Sequence, residues 1–139
     1  MRILAIDHGE KRIGLAISDL TGSLARPLQV IEHVSRLVDA AQVAEIARQQ
    51  EAGMIVVGQS FDEEGRPNLA GRRAARFAEA LRSQTGLPIL LWDESFSTQE
   101  ARQMRLELGG GRSSRTGHLD DLAAVFILRS YLEANRNQT

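Results

Sequence analysis

Arg2-Ile3-Leu4-Ala5-Ile6-Asp7-His8-Gly9-Glu10-Lys11-Arg12-Ile13-Gly14-Leu15-Ala16-Ile17-Ser18 is the stretch on which the fold turns. Residues 2–7 read as one strand and 12–18 as a second, with Ile13, Leu15 and Ile17 on one face of it. Gly9 lets the short link 7–11 turn, so the two strands should form a hairpin. Asp7 ends the first strand on the face that carries Ile3 and Ala5, where a carboxylate is expensive unless it is paired or holds a metal. The alternative is an aspartate that only caps the turn amides of Gly9 and Glu10. Asp7 also ends the opening apolar run too early for a signal peptide, which favours a strand in a cytoplasmic protein.

Outward from the hairpin, a third strand is expected within 24–31, and Pro27 suggests that it lies at a sheet edge. A helix follows over about 35–51, with Val34, Leu37, Val38, Ala41, Ala44 and Ala47 at helical spacing and Gly53 as its stop. Met54-Ile55-Val56-Val57-Gly58 has the unbroken apolar pattern of a strand covered on both faces. Residues 59–65 form an acidic loop. A second helix over about 68–85 should turn Ala70, Ala74, Phe77 and Leu81 inward and end at Gly86. Pro88-Ile89-Leu90-Leu91-Trp92 reads as another buried strand. Ser97-Thr98-Gln99-Glu100 is a capping box opening a short helix to about 108. A glycine-rich loop over 109–117 leads to a last helix over about 118–135, apolar nearly all round from Leu122 to Leu128.

Three antiparallel strands, then strands that return through helices and so run parallel, make one mixed five-stranded sheet with helices on both faces. With the first strand in the centre, this is a ribonuclease-H-like α/β arrangement, expected as a single domain over 1–139.

The 139 residues carry 17 basic and 18 acidic side chains and no cysteine. The balance argues against coating duplex nucleic acid by charge alone. The missing cysteines exclude disulfides, thiolate zinc sites and cysteine nucleophiles. No apolar run approaches the ~20 residues of a membrane span. Lys11 is the only lysine beside sixteen arginines, a bias that suits bidentate grip of phosphate and that base composition could equally produce.

Acids that could carry chemistry fall in three places. Asp7 ends the first strand. Asp93-Glu94 follows the strand ending at Trp92, and ligand sites of open α/β sheets gather at such strand ends. Asp120-Asp121 opens the last helix, where acids also simply suit the helix dipole. The fold should bring Asp7, Glu94 and Asp120 to one end of the sheet. Three carboxylates there would repel one another, and Mg2+ or Mn2+ would relieve the repulsion. Two such ions can activate a water and stabilise the leaving oxygen of a phosphodiester. Three histidines, His8, His33 and His118, are too few for a zinc cage to be expected.

The run from Asp7 to Asp19 resembles the opening motif of the YqgF/RuvX family, Holliday-junction-resolvase-like proteins also described as nucleases of the 16S ribosomal RNA precursor. The resemblance continues at Ile55-Val56-Val57-Gly58, at Asp93-Glu94-Ser95-Phe96-Ser97-Thr98 and at Leu119-Asp120-Asp121-Leu122-Ala123-Ala124, in order along nearly the whole chain. It implies a ribonuclease-H-like nuclease with Asp7, Glu94 and Asp120 as catalytic, metal-binding carboxylates. Two departures stand out. Ser95 takes the place of a usual arginine, and residues 59–65 replace a usual Leu-Pro segment with acids. Glu10, where threonine is common, adds an acid near Asp7.

Phosphate contacts are expected from Lys11, Arg12, Arg72, Arg76, Arg112 and Arg115; solvated helix faces and a flexible loop are the plainer alternative. Sparse aromatics argue against a base-stacking platform. The leading expectation is a metal-dependent nuclease, with precursor ribosomal RNA or branched DNA as substrate and ribosomal precursor particles as partner. Junction resolution would call for a homodimer. The competitors are a nucleotide-binding fragment of the actin and sugar-kinase type, for which one small domain is too little, and a non-catalytic RNA-binding assembly factor.

Overall fold

A computed structural model describes residues 1–94 and 116–136, the side chains of 116–121 apart. The expected short helix near 97–108 and the loop up to 115 lie outside those residues. The chain order is β1 (Arg2–His8), β2 (Arg12–Ser18), β3 (Ala25–Glu32), α1 (Arg36–Gln49), β4 (Ala52–Gln59), α2 (Leu69–Arg82), β5 (Ile89–Asp93) and α3 (Thr116–Asn135). The sheet runs β3-β2-β1-β4-β5, with β1 at its centre. β1 pairs antiparallel with β2 and parallel with β4, β2 antiparallel with β3, and β4 parallel with β5. The mixed sheet and its ribonuclease-H-like order are as expected.

Strand alternation sorts the core into two layers. Leu4, Ile6, Ile13, Leu15, Ile17, Ile55 and Val57 pack with Val43, Ile46, Phe77 and Leu81 under α1 and α2. Ile3, Ala5, Ala16 and Val56 pack with Ala124, Val125, Ile127 and Leu128 of α3 on the other face. Helices thus cover both sides, and the apolar middle of α3 is buried as its composition requires.

Four expectations need correction. Among the described residues β5 is an edge strand rather than a fully covered one; it pairs there only with β4, and Leu90 is exposed. Its unbroken apolar run reflects α2 on one side and Trp92 meeting Tyr131 of α3 on the other. The face of α1 that packs inward is Asp39, Ala40, Val43, Ile46 and Ala47, while Val34, Leu37, Val38 and Ala41 are exposed. The helix is rotated because Asp39 turns inward to accept hydrogen bonds from His33 Nδ1 and from the Val34 amide. Gly53 does not stop α1: Gln50 caps it, Glu51 takes the left-handed conformation at φ 56°, and Gly53 already lies within β4. α2 ends at a Ser83 cap, ahead of Gly86, and Ala70 in its first turn faces solvent.

Candidate active site

Asp7 and Glu94 stand at the carboxyl ends of β1 and β5, where a parallel sheet gathers its ligands. Asp7 pairs across β1–β2 with Gly14. On the other side, Ile6 aligns with Val57 and β4 runs parallel, so the next residue pair along is Asp7 beside Gly58. Alternation puts Asp7 on the face of Ile3 and Ala5, which α3 covers. A glycine at each of these positions means that neither β2 nor β4 sets a side chain beside Asp7. Within the turn the Gly9 amide donates to Arg12 O at 2.9 Å.

Glu94 immediately follows β5 and stays in the sheet register, its amide donating to Gln59 O at 3.1 Å. Its carboxylate reaches over Gly58. A methyl group built on Gly58 would lie 2.6 Å from Glu94 Oε2 and 2.5 Å from Ile127 Cδ1 of α3. The bare glycine therefore makes the floor on which Glu94 lies, between β5 and β1. Burial pushes the Glu94 carboxyl above the ordinary glutamate range, and the neighbouring Asp93 adds to the rise. A carboxylate so placed gains by the arrival of a cation. Asp93 alternates to the opposite face, beside Leu91, and is exposed.

Asp120 belongs to the N-terminal part of α3, whose later turns pack against β1, β2 and β4; its side chain lies outside the described ones. Among the described residues no three histidine, aspartate or glutamate side chains lie close enough together to hold a metal ion. The structure therefore puts two of the three expected acids on one face at one end of the sheet, with the third on the helix covering that face.

The basic residues divide. Lys11 is exposed and Arg12 half-buried in the β1–β2 turn next to Asp7. Arg72 and Arg76 are exposed on α2, which packs on the opposite face of the sheet from Asp7, and Arg72 Nη1 donates to Pro67 O at 3.2 Å. These two are surface groups away from the carboxylates. Arg112, Arg115 and Ser95 lie outside the described residues. The acidic segment after β4 is a closed turn: Asp62 Oδ1 accepts the amides of Glu64 and Arg66, and Glu64 pairs with Arg66 at 3.1 Å. Asp19, the last residue of the opening motif, is structural; its carboxylate accepts the Ser23 and Leu24 amides and closes the β2–β3 turn. The Ser23 amide, foremost among these bonds, draws the Asp19 carboxyl below its ordinary range.

Sequence patterns missed Gly58 as part of the site geometry, although its place at the end of an apolar strand beside an acid-bearing one was a usable signal. The grouping of Arg36 with Arg73 around one cavity was not readable from the sequence, because it exists only in the folded chain.

Comparison with known proteins places this architecture in context. A family model described as RuvX, Holliday junction resolvase, matches residues 1–134. A protein of Thermoanaerobacter pseudethanolicus named as a pre-16S rRNA nuclease is 39% identical over 139 residues, covering 99% of this chain and 100% of the relative. One of the same name from Anaeromyxobacter sp. is 40% identical over 133 residues, covering 96% and 97%. Among solved structures, RuvC of Thermus thermophilus superposes with a TM-score of 0.62 at 20% identity, covering 98% and 96%. The same protein with a Holliday junction substrate gives 0.60 at 19% identity, covering 99% and 96%. At such identities these structures speak for the fold.

Proposed function

The chain belongs to the RuvX family of Holliday junction resolvases, and from that membership we propose that it is a divalent-metal-dependent nuclease that hydrolyses phosphodiester bonds of the 16S rRNA precursor. The observation that carries the reading is the placement of Asp7 and Glu94 on one face of the sheet, at the ends of β1 and β5, with Gly58 bare between them. A carboxylate buried enough to be pushed toward its neutral form is suited to a hard cation, which favours the ionised form. The donors are all oxygen, which fits Mg2+ or Mn2+, and Asp7, Glu94 and Asp120 are the residues that would hold them.

A bound Mg2+ or Mn2+ supplies Lewis acidity, which makes water a nucleophile near neutral pH and stabilises the leaving oxygen. The protein's contribution is placement. The central strand and its two ladders fix the Asp7 backbone. The Gly58 floor and Ile127 fix the approach of Glu94, and later turns of α3 cover the face on which both acids lie. Lys11 and Arg12, close to Asp7 along the β1–β2 hairpin, are the phosphate contacts we expect among the described residues, and Arg112 and Arg115 would add to them. No helix among the described residues is long and apolar enough to cross a membrane; the setting we propose is the cytoplasm, on ribosomal precursor particles.

A second reading, cleavage of branched DNA, is favoured by the match to a Holliday junction resolvase family, and it would call for a homodimer. Both are tested together by cleavage of labelled precursor RNA and of a four-way DNA junction with Mg2+, Mn2+ or chelator. Wild type should cleave one of them only with metal, and Asp7→Asn and Glu94→Gln should not. Equal cleavage by all three proteins would refute the metal-carboxylate mechanism, and no cleavage of either substrate by wild type would leave an assembly factor.

A further inference from the structure

On the face of the sheet opposite Asp7, a cavity of about 420 Å³ opens between the β1–β2 turn, the start of α1 and α2. His8, His33, Ser35, Arg36 and Arg73 line it, and Glu10 stands among them. The charges favour an anion. Arg36 and Arg73 are permanently cationic. The N-terminus of α1 adds its partial positive charge at Ser35 and Arg36. Asp39 does not face the cavity. It is fully buried behind His33, accepting from His33 Nδ1 at 2.5 Å and from the Val34 amide at 3.0 Å. That bond fixes the ring and leaves Nε2 for a ligand. Among the described residues Glu10 is the one acid lining the cavity; its side chain is 77% exposed and 4.0 Å from Arg73, a pair that water weakens.

His8 also lines the cavity, its ring stacked on Phe77 of α2 with centroids 4.6 Å apart.

We propose that this cavity is a phosphate-binding subsite, built by Arg36, Arg73, His33 and the start of α1, which takes a phosphate group of the nucleic-acid strand. His8 follows Asp7 directly on β1, so the subsite and the carboxylates lie on opposite faces of the same strand end. A strand bent around the β1–β2 turn reaches both. The identification of the phosphate as part of a nucleic acid rests on the nuclease reading; the phosphate chemistry of the cavity does not.

The test is a binding measurement in chelator, so that cleavage is not the readout. Imidazole signals of His33 are followed by NMR while inorganic phosphate, a 5′-phosphorylated oligoribonucleotide and its 5′-hydroxyl counterpart are added in turn. Inorganic phosphate should shift His33 saturably, and Arg36→Gln with Arg73→Gln should abolish the response. The same pair should weaken oligonucleotide binding about tenfold, the scale of losing charged phosphate contacts. Arg36 is exposed and Arg73 a third exposed, so the fold should tolerate both changes, and Arg73→Lys should restore part of the binding. Unmoved or linearly drifting His33 signals would overturn the subsite. A response to free phosphate with none to either oligonucleotide would overturn its assignment to nucleic acid. Failure of the nuclease reading is separate: Asp7→Asn should abolish cleavage and leave the His33 response intact.

Discussion

Replacing Gly58 with alanine tests how the site is built. The new methyl group would sit 2.5 Å from Ile127 Cδ1 and 2.6 Å from Glu94 Oε2. β4 cannot move away, since it is paired with β1 on one side and β5 on the other. Ile127 is 1% exposed and also presents Cγ1 at 3.1 Å, so it has little room. Glu94 is the freer of the two and should swing off the strand. Without the clash, alanine in a strand would gain about 0.5–1 kcal/mol over glycine. Overpacking of this kind costs about 1–3 kcal/mol. Net of the alanine gain, the loss is up to about 2.5 kcal/mol, and at roughly 4 °C per kcal/mol for a chain of this length Gly58→Ala should melt up to about 10 °C lower. Displacing a carboxylate by about 1 Å should cost about 100-fold in rate. Thermal melting and metal-dependent cleavage read the two effects side by side. Unchanged or raised melting together with wild-type cleavage would refute the claim that Gly58 is the floor under Glu94.

Three further outcomes follow from the same geometry. Burial raises the Glu94 carboxyl above its ordinary value, so in metal-free protein the folded state holds its proton longer than the unfolded one. Stability is then fully present below the ordinary glutamate range and falls as pH rises through the elevated value. Glu94→Gln should remove that fall and melt higher than wild type at neutral pH in chelator, but should lose the stabilisation that added Mn2+ gives wild type. Burial likewise holds the His8 imidazole below its ordinary 6.5; in the metal-free protein its NMR titration should have a midpoint under that value, and a midpoint above it would contradict its packing against Phe77. Asp39→Ala takes the acceptor from the Val34 amide and from His33 inside a buried site. It should cost about 2 kcal/mol, roughly 8 °C of melting temperature, and a surface-like effect below 1 °C would show that the carboxylate does not hold α1 in place.

The hairpin was legible because alternation at Ile13, Leu15 and Ile17 and the glycine turn at Gly9 are local signals, and the edge position of β3 because Pro27 lacks an amide. The end-of-strand acids Asp7 and Glu94 were legible for a related reason: strand direction alone determines which end of the sheet they reach. The inward face of α1 was not. Its apolar residues Val34, Leu37 and Val38 face solvent, because Asp39 is drawn into the core by partners on the preceding segment. Periodicity cannot weigh such a polar contact against hydrophobic spacing. The edge position of β5 was hidden because its apolar run is covered by α2 and α3 rather than by a further strand. The cluster of Arg36, Arg73 and His33 was invisible for a deeper reason, since it joins the β3–α1 link and the start of α1 to Arg73 of α2, far along the chain.

The central claim is that Asp7 and Glu94, with Asp120, share hydrated divalent cations at the end of the sheet. Anomalous diffraction from crystals soaked in Mn2+ measures this directly. The account predicts a manganese peak above Gly58 within coordination distance of both Asp7 and Glu94, absent from Asp7→Asn crystals. Full soaking with no peak there, or with both carboxylates turned away from each other, would contradict it.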